Sequence, residues 1–160
     1  METPLHNMLN SGREVNLLSD YNSKVIPEIG SDAIWTVSSC KRGFGVKNLR
    51  DHDTQTYWQS DGNQPHKITC QFRFKPTTEK FSHFIIRKRQ TVVGVLLYAD
   101  YKCDESYTPS RITILTGNDF NDLRPIVEES ISEPRGWIEI KIRNEMGAPL
   151  RTWMMQVSHQ

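Results

Sequence analysis

The densest group of chemically capable side chains is Asp104-Glu-Ser-Tyr-Thr108, inside the stretch Tyr98-Ala-Asp-Tyr-Lys-Cys-Asp-Glu-Ser-Tyr-Thr-Pro-Ser-Arg-Ile112. Asp100, Asp104 and Glu105 could offer carboxylates to a hard cation, with Ser106 and Thr108 as further oxygens, since calcium collects about six to eight of them. Their spacing matches no known calcium loop, and Lys102 sits among them. A solvated acidic loop is the simpler expectation. Ser106 could act as a nucleophile if Asp104 and His66 served as its activating partners. No Gly-x-Ser-x-Gly elbow and no glycine pair for an oxyanion hole accompany it. The five histidines, His6, His52, His66, His83 and His159, form no ligand spacing. Gly43-Phe-Gly45 lies outside the strand-to-helix setting that a phosphate loop needs. The residues therefore point to recognition: no catalytic residue, no metal and no cofactor are expected.

A second stretch supports recognition. Asp53-Thr-Gln-Thr-Tyr-Trp-Gln-Ser-Asp-Gly62 leads two large aromatics into a polar turn. Tyr57 and Trp58 suit a core, because aromatic rings bury large areas. Ser60, Asp61 and Gly62 would then sit rigidly at its rim. Asp104 and Glu105 supply negative charge, while Ser106 and Tyr107 supply donors and acceptors. A cationic or extended peptide suits such a surface.

These loops must be held by something rigid, and the rest of the sequence describes it. With 160 residues, 36% hydrophobic and 24% charged, the chain fits one globular domain with room for a tail. Twenty basic against 19 acidic side chains leave a net charge of +1, which argues against general electrostatic binding to nucleic acid. Cys40, Cys70 and Cys103 are too few and too scattered for a disulfide framework or a metal knuckle. The segment 1–24 has no sustained period and reads as a flexible leader; Arg13, Glu14 and Asp20 deny it the apolar block of a signal peptide. The longest apolar stretch, Val92 to Leu97, is too short for a membrane helix. Nucleus and cytoplasm are the expected compartments.

Period-two alternation marks the strands. In Lys67-Ile-Thr-Cys-Gln-Phe-Arg-Phe74, the side chains Ile68, Cys70, Phe72 and Phe74 share one face. Ile138, Ile140 and Ile142 do the same in Trp137–Ile142. Ala33–Val37, Val92–Tyr98, Arg111–Thr116 and Thr152–Val157 are further strands. Val46–Asp53 suits one helical turn, and both Gly43 and Gly45 suit positive φ. Ser132–Gly136 and Arg143–Pro149 are turn clusters. Short strands separated by Gly and Pro turns predict an all-β sandwich or barrel. The stretch Glu79–Gln90 fits poorly, as an extra strand or a surface excursion.

Several segments together resemble the Doc-domain family of anaphase-promoting complex subunits. They are Glu28-Ile-Gly-Ser-Asp-Ala-Ile-Trp35, Ser38-Ser-Cys-Lys-Arg-Gly-Phe-Gly-Val46, Leu49-Arg-Asp51, Thr56-Tyr-Trp-Gln-Ser-Asp-Gly-Asn-Gln-Pro-His66 and Tyr98–Ser110. The resemblance runs from about Val25 to Gln156, and it places the domain at 25–160. It implies a jelly-roll β-sandwich of the galactose-binding-like kind. It further implies a non-catalytic subunit of a ubiquitin ligase, which works with a WD-repeat coactivator to hold the destruction box of substrates. The implied partners are the scaffold and cullin subunits of that complex, the coactivator and Arg-x-x-Leu-type degron peptides, with no nucleic acid and no membrane. The family's degron-facing serine falls on Ser106, with Asp104, Glu105 and Tyr107 beside it; Ser60 and Asp61 belong to a second matching motif. The chain departs from the pattern near 79–90, where the family has no counterpart. It also stops at Gln160, before a further family loop, a strand and an Ile-Arg tail. The alternative expectation is a galactose-binding-like module for a small ligand or glycan.

Overall fold

The computed structural model describes residues 27–74, 86–103 and 108–160. Ten strands follow a single turn of 3₁₀ helix at Gly30–Asp32: β1 (Ala33–Val37), β2 (His66–Phe74), β3 (Ile86–Arg87), β4 (Gln90–Val92), β5 (Gly94–Asp100), β6 (Arg111–Gly117), β7 (Arg124–Ser130), β8 (Arg135–Lys141), β9 (Leu150–Thr152) and β10 (Met154–His159). One short helix, α1 (Val46–Arg50), lies between β1 and β2. The main sheet runs β1-β2-β10-β6-β7, with β3 added beside β2, and β5-β8 and β4-β9 form two-stranded partners. Every pairing is antiparallel.

Alternation builds the core as predicted. Ile68, Cys70 and Phe72 of β2 face inward with Ile112 and Ile114 of β6 and Met155 and Val157 of β10. Val95, Leu97, Ala99, Ile140 and Ile142 close the same cluster from the opposite layer. Each such aliphatic side chain contributes about 1.5–3 kcal/mol by leaving water, so two facing sheets with matched inward rows are stable without a staple. The Phe74 side chain lies outside the described residues.

Five differences from expectation have local causes. The predicted strand at 92–98 is two strands broken at Val93, whose carbonyl accepts from Ile142 N (2.9 Å) and Arg143 Nη1 (2.8 Å). The predicted strand at 152–157 divides at Trp153, so that β9 pairs with β4 while β10 joins the main sheet. There the Thr152 hydroxyl lies 2.8 Å from Met154 O and 3.1 Å from Gly117 O, fastening the step between sheets. β7 does not stand out in sequence, because Arg124-Pro-Ile-Val-Glu-Glu-Ser130 carries only two half-buried aliphatics. It is an edge strand with a register shift opposite Pro125, a place where proline's missing N–H is tolerated. Gly43 has φ +89°, as predicted, but Gly45 has φ −102° and begins α1, its carbonyl accepting from Asn48 and Leu49. Finally, β5 and β6, which flank the acidic stretch in sequence, belong to different sheets. The leader 1–24 and residues 79–85 of the unusual stretch lie outside the described residues. Beyond them, Ile86–Arg87 pairs with Phe74–Arg73.

Candidate functional site

The core ends in a row of polar rings. On the inner face His66 of β2 is paired with His159 of β10, and His159 with Ile112 of β6. The His66 and His159 rings lie 5.3 Å apart, and Trp58 meets His159 edge-on at 5.6 Å. Trp58 is 3% exposed, so it caps the core as expected. Burial, with the neighbouring His66 as a lesser cause, pushes His159 down to about 4. A charge there would be surrounded by apolar side chains and one more imidazole. His159 Nε2 and His66 Nδ1 are both buried without a hydrogen-bond partner among the described residues.

Over this row the 38–45 and 56–66 segments lock together. Trp58 Nε1 donates to Ser39 O (2.9 Å), and Asp61 N donates to Ser39 Oγ (3.0 Å). Lys41 N donates to Gln59 O (2.9 Å) and Gln59 N to Phe44 O (3.0 Å), while Phe44 and Tyr57 stack at 5.0 Å. At the base, Ser38 N donates to Lys67 O and Lys67 N to Ser38 Oγ. A Cβ at position 62 would come within 3.1 Å of Ser39 Oγ, so glycine lets the two loops close. The side chains of half-buried Ser60 and exposed Asp61 are thus presented from a rigid turn.

The described residues on either side of the acidic stretch are held by hydrogen bonds from backbone amides. Asp100 Oδ1 accepts from Lys102 N (3.0 Å), and Cys103 N donates to Asp100 O (3.1 Å). That carboxylate closes a turn, which accounts for it without a cation. At the far side, Ser110 N and Arg111 N donate to Gln160 O, Gln160 N returns to Arg111 O, and Ile131 N donates to Ser110 O. Asp104, Glu105, Ser106 and Tyr107 themselves lie outside the described residues. Ser110 and Arg111, which follow them, bond to Gln160 beside His159, and Ser60 and Asp61 lie at the same end of the sheet. Among the described residues, no three His, Cys, Asp or Glu side chains come together as a metal site.

Ser39 and His66 fall inside motif segments without a role being read for them at this site, and His159 falls in none. The histidines are 93 positions apart, yet each continues the inward period of its strand, at 66-68-70-72 and 155-157-159. That shared phase is the available signal. By contrast, the Glu28–Trp35 motif is a structural clasp away from this end. Glu28 Oε1 accepts from Gly30 N (2.6 Å) and Arg50 Nη2 (3.2 Å), and Oε2 from Ser31 N (3.0 Å). The Arg50 guanidinium lies over Trp35 at 4.5 Å, and Trp35 Nε1 donates to Gly30 O (2.7 Å). A Cβ on Gly30 would come within 2.4 Å of the Glu28 carboxylate and 2.7 Å of the Trp35 ring, so only glycine fits.

Comparison with known proteins follows the same lines. Residues 19–159 match the family described as Anaphase-promoting complex, subunit 10 (APC10). The chain is 45% identical over 133 residues to Anaphase-promoting complex subunit 10 of Homo sapiens, covering 83% of this chain and 64% of that protein. It is 41% identical over 145 residues to the Drosophila melanogaster protein of the same name, covering 91% and 67%. The chain thus spans just under two thirds of the length of the mammalian relatives it matches. Among solved structures, the family 32 CBM from C. perfringens NanJ in complex with galactose aligns with a TM-score of 0.56 at 9% identity, covering 81% of this chain and 83% of that one. CpGH89CBM32-5, from Clostridium perfringens, in complex with GalNAc-beta-1,3-galactose aligns with a TM-score of 0.59 at 12% identity, covering 82% and 86%. These two show the fold alone, a jelly-roll β-sandwich of the galactose-binding-like kind.

Proposed function

The chain belongs to the anaphase-promoting complex subunit 10 family, and on that premise we propose that it is a non-catalytic substrate-recognition subunit of the anaphase-promoting complex. In this role it helps a WD-repeat coactivator hold destruction-box degrons, and the ligase chemistry resides in other subunits. Its partners are the scaffold and cullin subunits, the coactivator and Arg-x-x-Leu-type peptides, and it works in the nucleus and cytoplasm during mitosis. The domain that does so is residues 25–160.

The observation that supports this reading is that the Ser60–Asp61 turn and the residues following Asp104–Tyr107 share one end of the main sheet. Ser39 fixes the Ser60–Asp61 turn at 3.0 Å, and Ser110, which follows Asp104–Tyr107 in sequence, donates to Gln160 O next to His159. Carboxylates and hydroxyls at such a rim suit a cationic degron side chain and extended backbone. Holding one peptide between two proteins raises its effective concentration, so substrates stay bound through successive ubiquitin transfers. No nucleophile with an activating base is needed.

Affinity purification of the tagged chain from mitotic cells, followed by mass spectrometry, tests the proposal. Recovery of cullin, scaffold and coactivator subunits is the expected result. Their absence, together with binding to a glycan array, would instead establish a sugar-binding module.

A further inference from the structure

At the other end of β2 the molecule carries a second surface of opposite character. Arg73 lies seven residues from His66, about 23 Å along an extended strand. Arg73 and Arg87 are direct cross-strand partners, so both side chains stand on one face. The Arg87 guanidinium lies 6.0 Å from the Trp153 ring. Two residues before Trp153, the Arg151 carbonyl accepts from Arg89 Nε (3.3 Å) and Arg89 Nη2 (3.2 Å). Arg73 Nε donates to Asp32 O (3.1 Å). Lys88 sits between Arg87 and Arg89, and its amide is held by Phe72 O (3.1 Å). Arg73, Arg87, Lys88, Arg89 and Arg151 are all exposed.

Like charges this close repel unless something offsets them. Among the described residues the ion pairs are Arg50–Glu28 and Arg111–Glu128, and neither involves these five cations. Asp122 is occupied by Asn118 and Asp119, and hydrogen bonding holds it below the usual carboxylate range. Asp32 makes no ion pair with Arg73 among the described residues, and Arg73 takes its backbone oxygen instead. The chain as a whole has a net charge of only +1, so this concentration of positive charge is local.

We propose that Arg73, Arg87, Lys88, Arg89 and Arg151 form a docking surface for an acidic segment of a partner protein. Three guanidiniums are oriented in advance, two by backbone carbonyls and one by the Trp153 ring. Holding these side chains in advance lowers the entropic cost of binding, and the planar fork matches carboxylates. The positive charge is confined to one short patch on a near-neutral molecule, which suits a short acidic segment better than the extended phosphate backbone of a nucleic acid. This surface is separate from the degron end and does not depend on that function.

The experiment is fluorescence anisotropy of labelled hexaglutamate with the full chain at low and raised salt, with a thymidine hexanucleotide as competitor. Hexaglutamate is expected to bind in a salt-sensitive manner and to shift Trp153 emission. Arg87→Glu with Arg89→Glu is expected to weaken binding by roughly tenfold or more, through direct repulsion. Lys67→Glu with Arg111→Glu changes net charge equally at the other end and is expected to leave binding within about twofold, as distant charges are screened. Arg87→Lys with Arg89→Lys keeps the charge but loses the fork, and is expected to weaken binding to a smaller degree; it carries the test if the Glu variant does not fold. No binding, equal loss in both charge-reversed variants, unchanged binding in the patch variants, or preferential binding of the oligonucleotide would each overturn the proposal.

Discussion

His66 and His159 face one another across the β2–β10 ladder, 5.3 Å between ring centroids, each with a buried nitrogen that no described donor or acceptor meets. Protonating His159 places charge at the sealed end of the core. His159 is held at about 4, against 6.5 in the unfolded chain. Between these values the unfolded state binds the extra proton, so stability is full above pH 6.5 and falls as pH drops toward 4. The loss is on the order of 3 kcal/mol across that window. Urea unfolding at pH 7.5 and 4.5 measures it. In His159→Gln the pH dependence is expected to shrink by most of that amount; an unchanged slope would assign it to other groups.

The turn that presents Ser60 and Asp61 depends on Ser39, through the 3.0 Å bond to Asp61 N. Ser39→Ala removes that acceptor at an exposed position, so the cost in stability is about 0.5–1 kcal/mol. Recognition is expected to suffer as well, because the turn loses its tether. Degron-peptide affinity should fall about threefold, which corresponds to roughly 0.7 kcal/mol of lost preorganisation. Parallel thermal melts and peptide titrations separate the two effects. Undiminished affinity with a normal melt would remove the Ser60–Asp61 turn from the site.

Ser106 is the central residue of the proposed degron contact. Ser106→Ala, and Asp104→Lys with Glu105→Lys, are expected to weaken capture of an Arg-x-x-Leu peptide while leaving the unfolding midpoint unchanged. The double reversal should be the more severe, by about tenfold, since it sets like charge against the degron arginine. Full capture by either folded variant would take this loop out of the site.

Much of this architecture is legible in sequence because alternation is a strong signal where one face is buried. Lys67–Phe74 and Trp137–Ile142 show it clearly. The steps between sheets are not legible, since they depend on partners distant in sequence. Trp153 looks like the middle of one strand until Thr152 is seen reaching Gly117 O, 35 residues away. β7 is hidden because an edge strand needs few apolar residues, and Pro125 argues against it locally. At the site, the Trp58–Asp61 motif is visible as a turn beside aromatics. Ser39 is not, because a serine acceptor acquires its role only when the other loop folds onto it.

Thiol chemistry offers a direct check on the layers. Cys70 is 1% exposed in the core, and burial pushes its thiol well up, with Arg50 opposing and Glu28 adding smaller effects. Cys40 and Cys103 are exposed on loops. The reactive species is the thiolate, so the native chain is expected to label rapidly at two cysteines and at the third only on unfolding. Timed alkylation with peptide mapping reads this out, and rapid labelling of Cys70 would contradict the packing of β2.

The Glu28–Arg50 pair explains why the Glu28–Trp35 motif is structural. Both side chains are largely buried, 18% and 13% exposed, and the carboxylate also takes two backbone amides. Glu28→Ala leaves the Arg50 guanidinium with the Trp35 ring but no counter-charge, and Arg50 Nη1 is already buried without a partner. Breaking one side of such a pair costs about 3 kcal/mol. Gly30→Ala is expected to be comparably damaging for a different reason, since its Cβ would collide with both Glu28 and Trp35. In Glu28→Ala with Gly30→Ala the two losses should not add, because removing the carboxylate relieves part of the collision. Urea unfolding of the single and double variants measures that coupling. Strict additivity would mean that the clasp does not act as one unit.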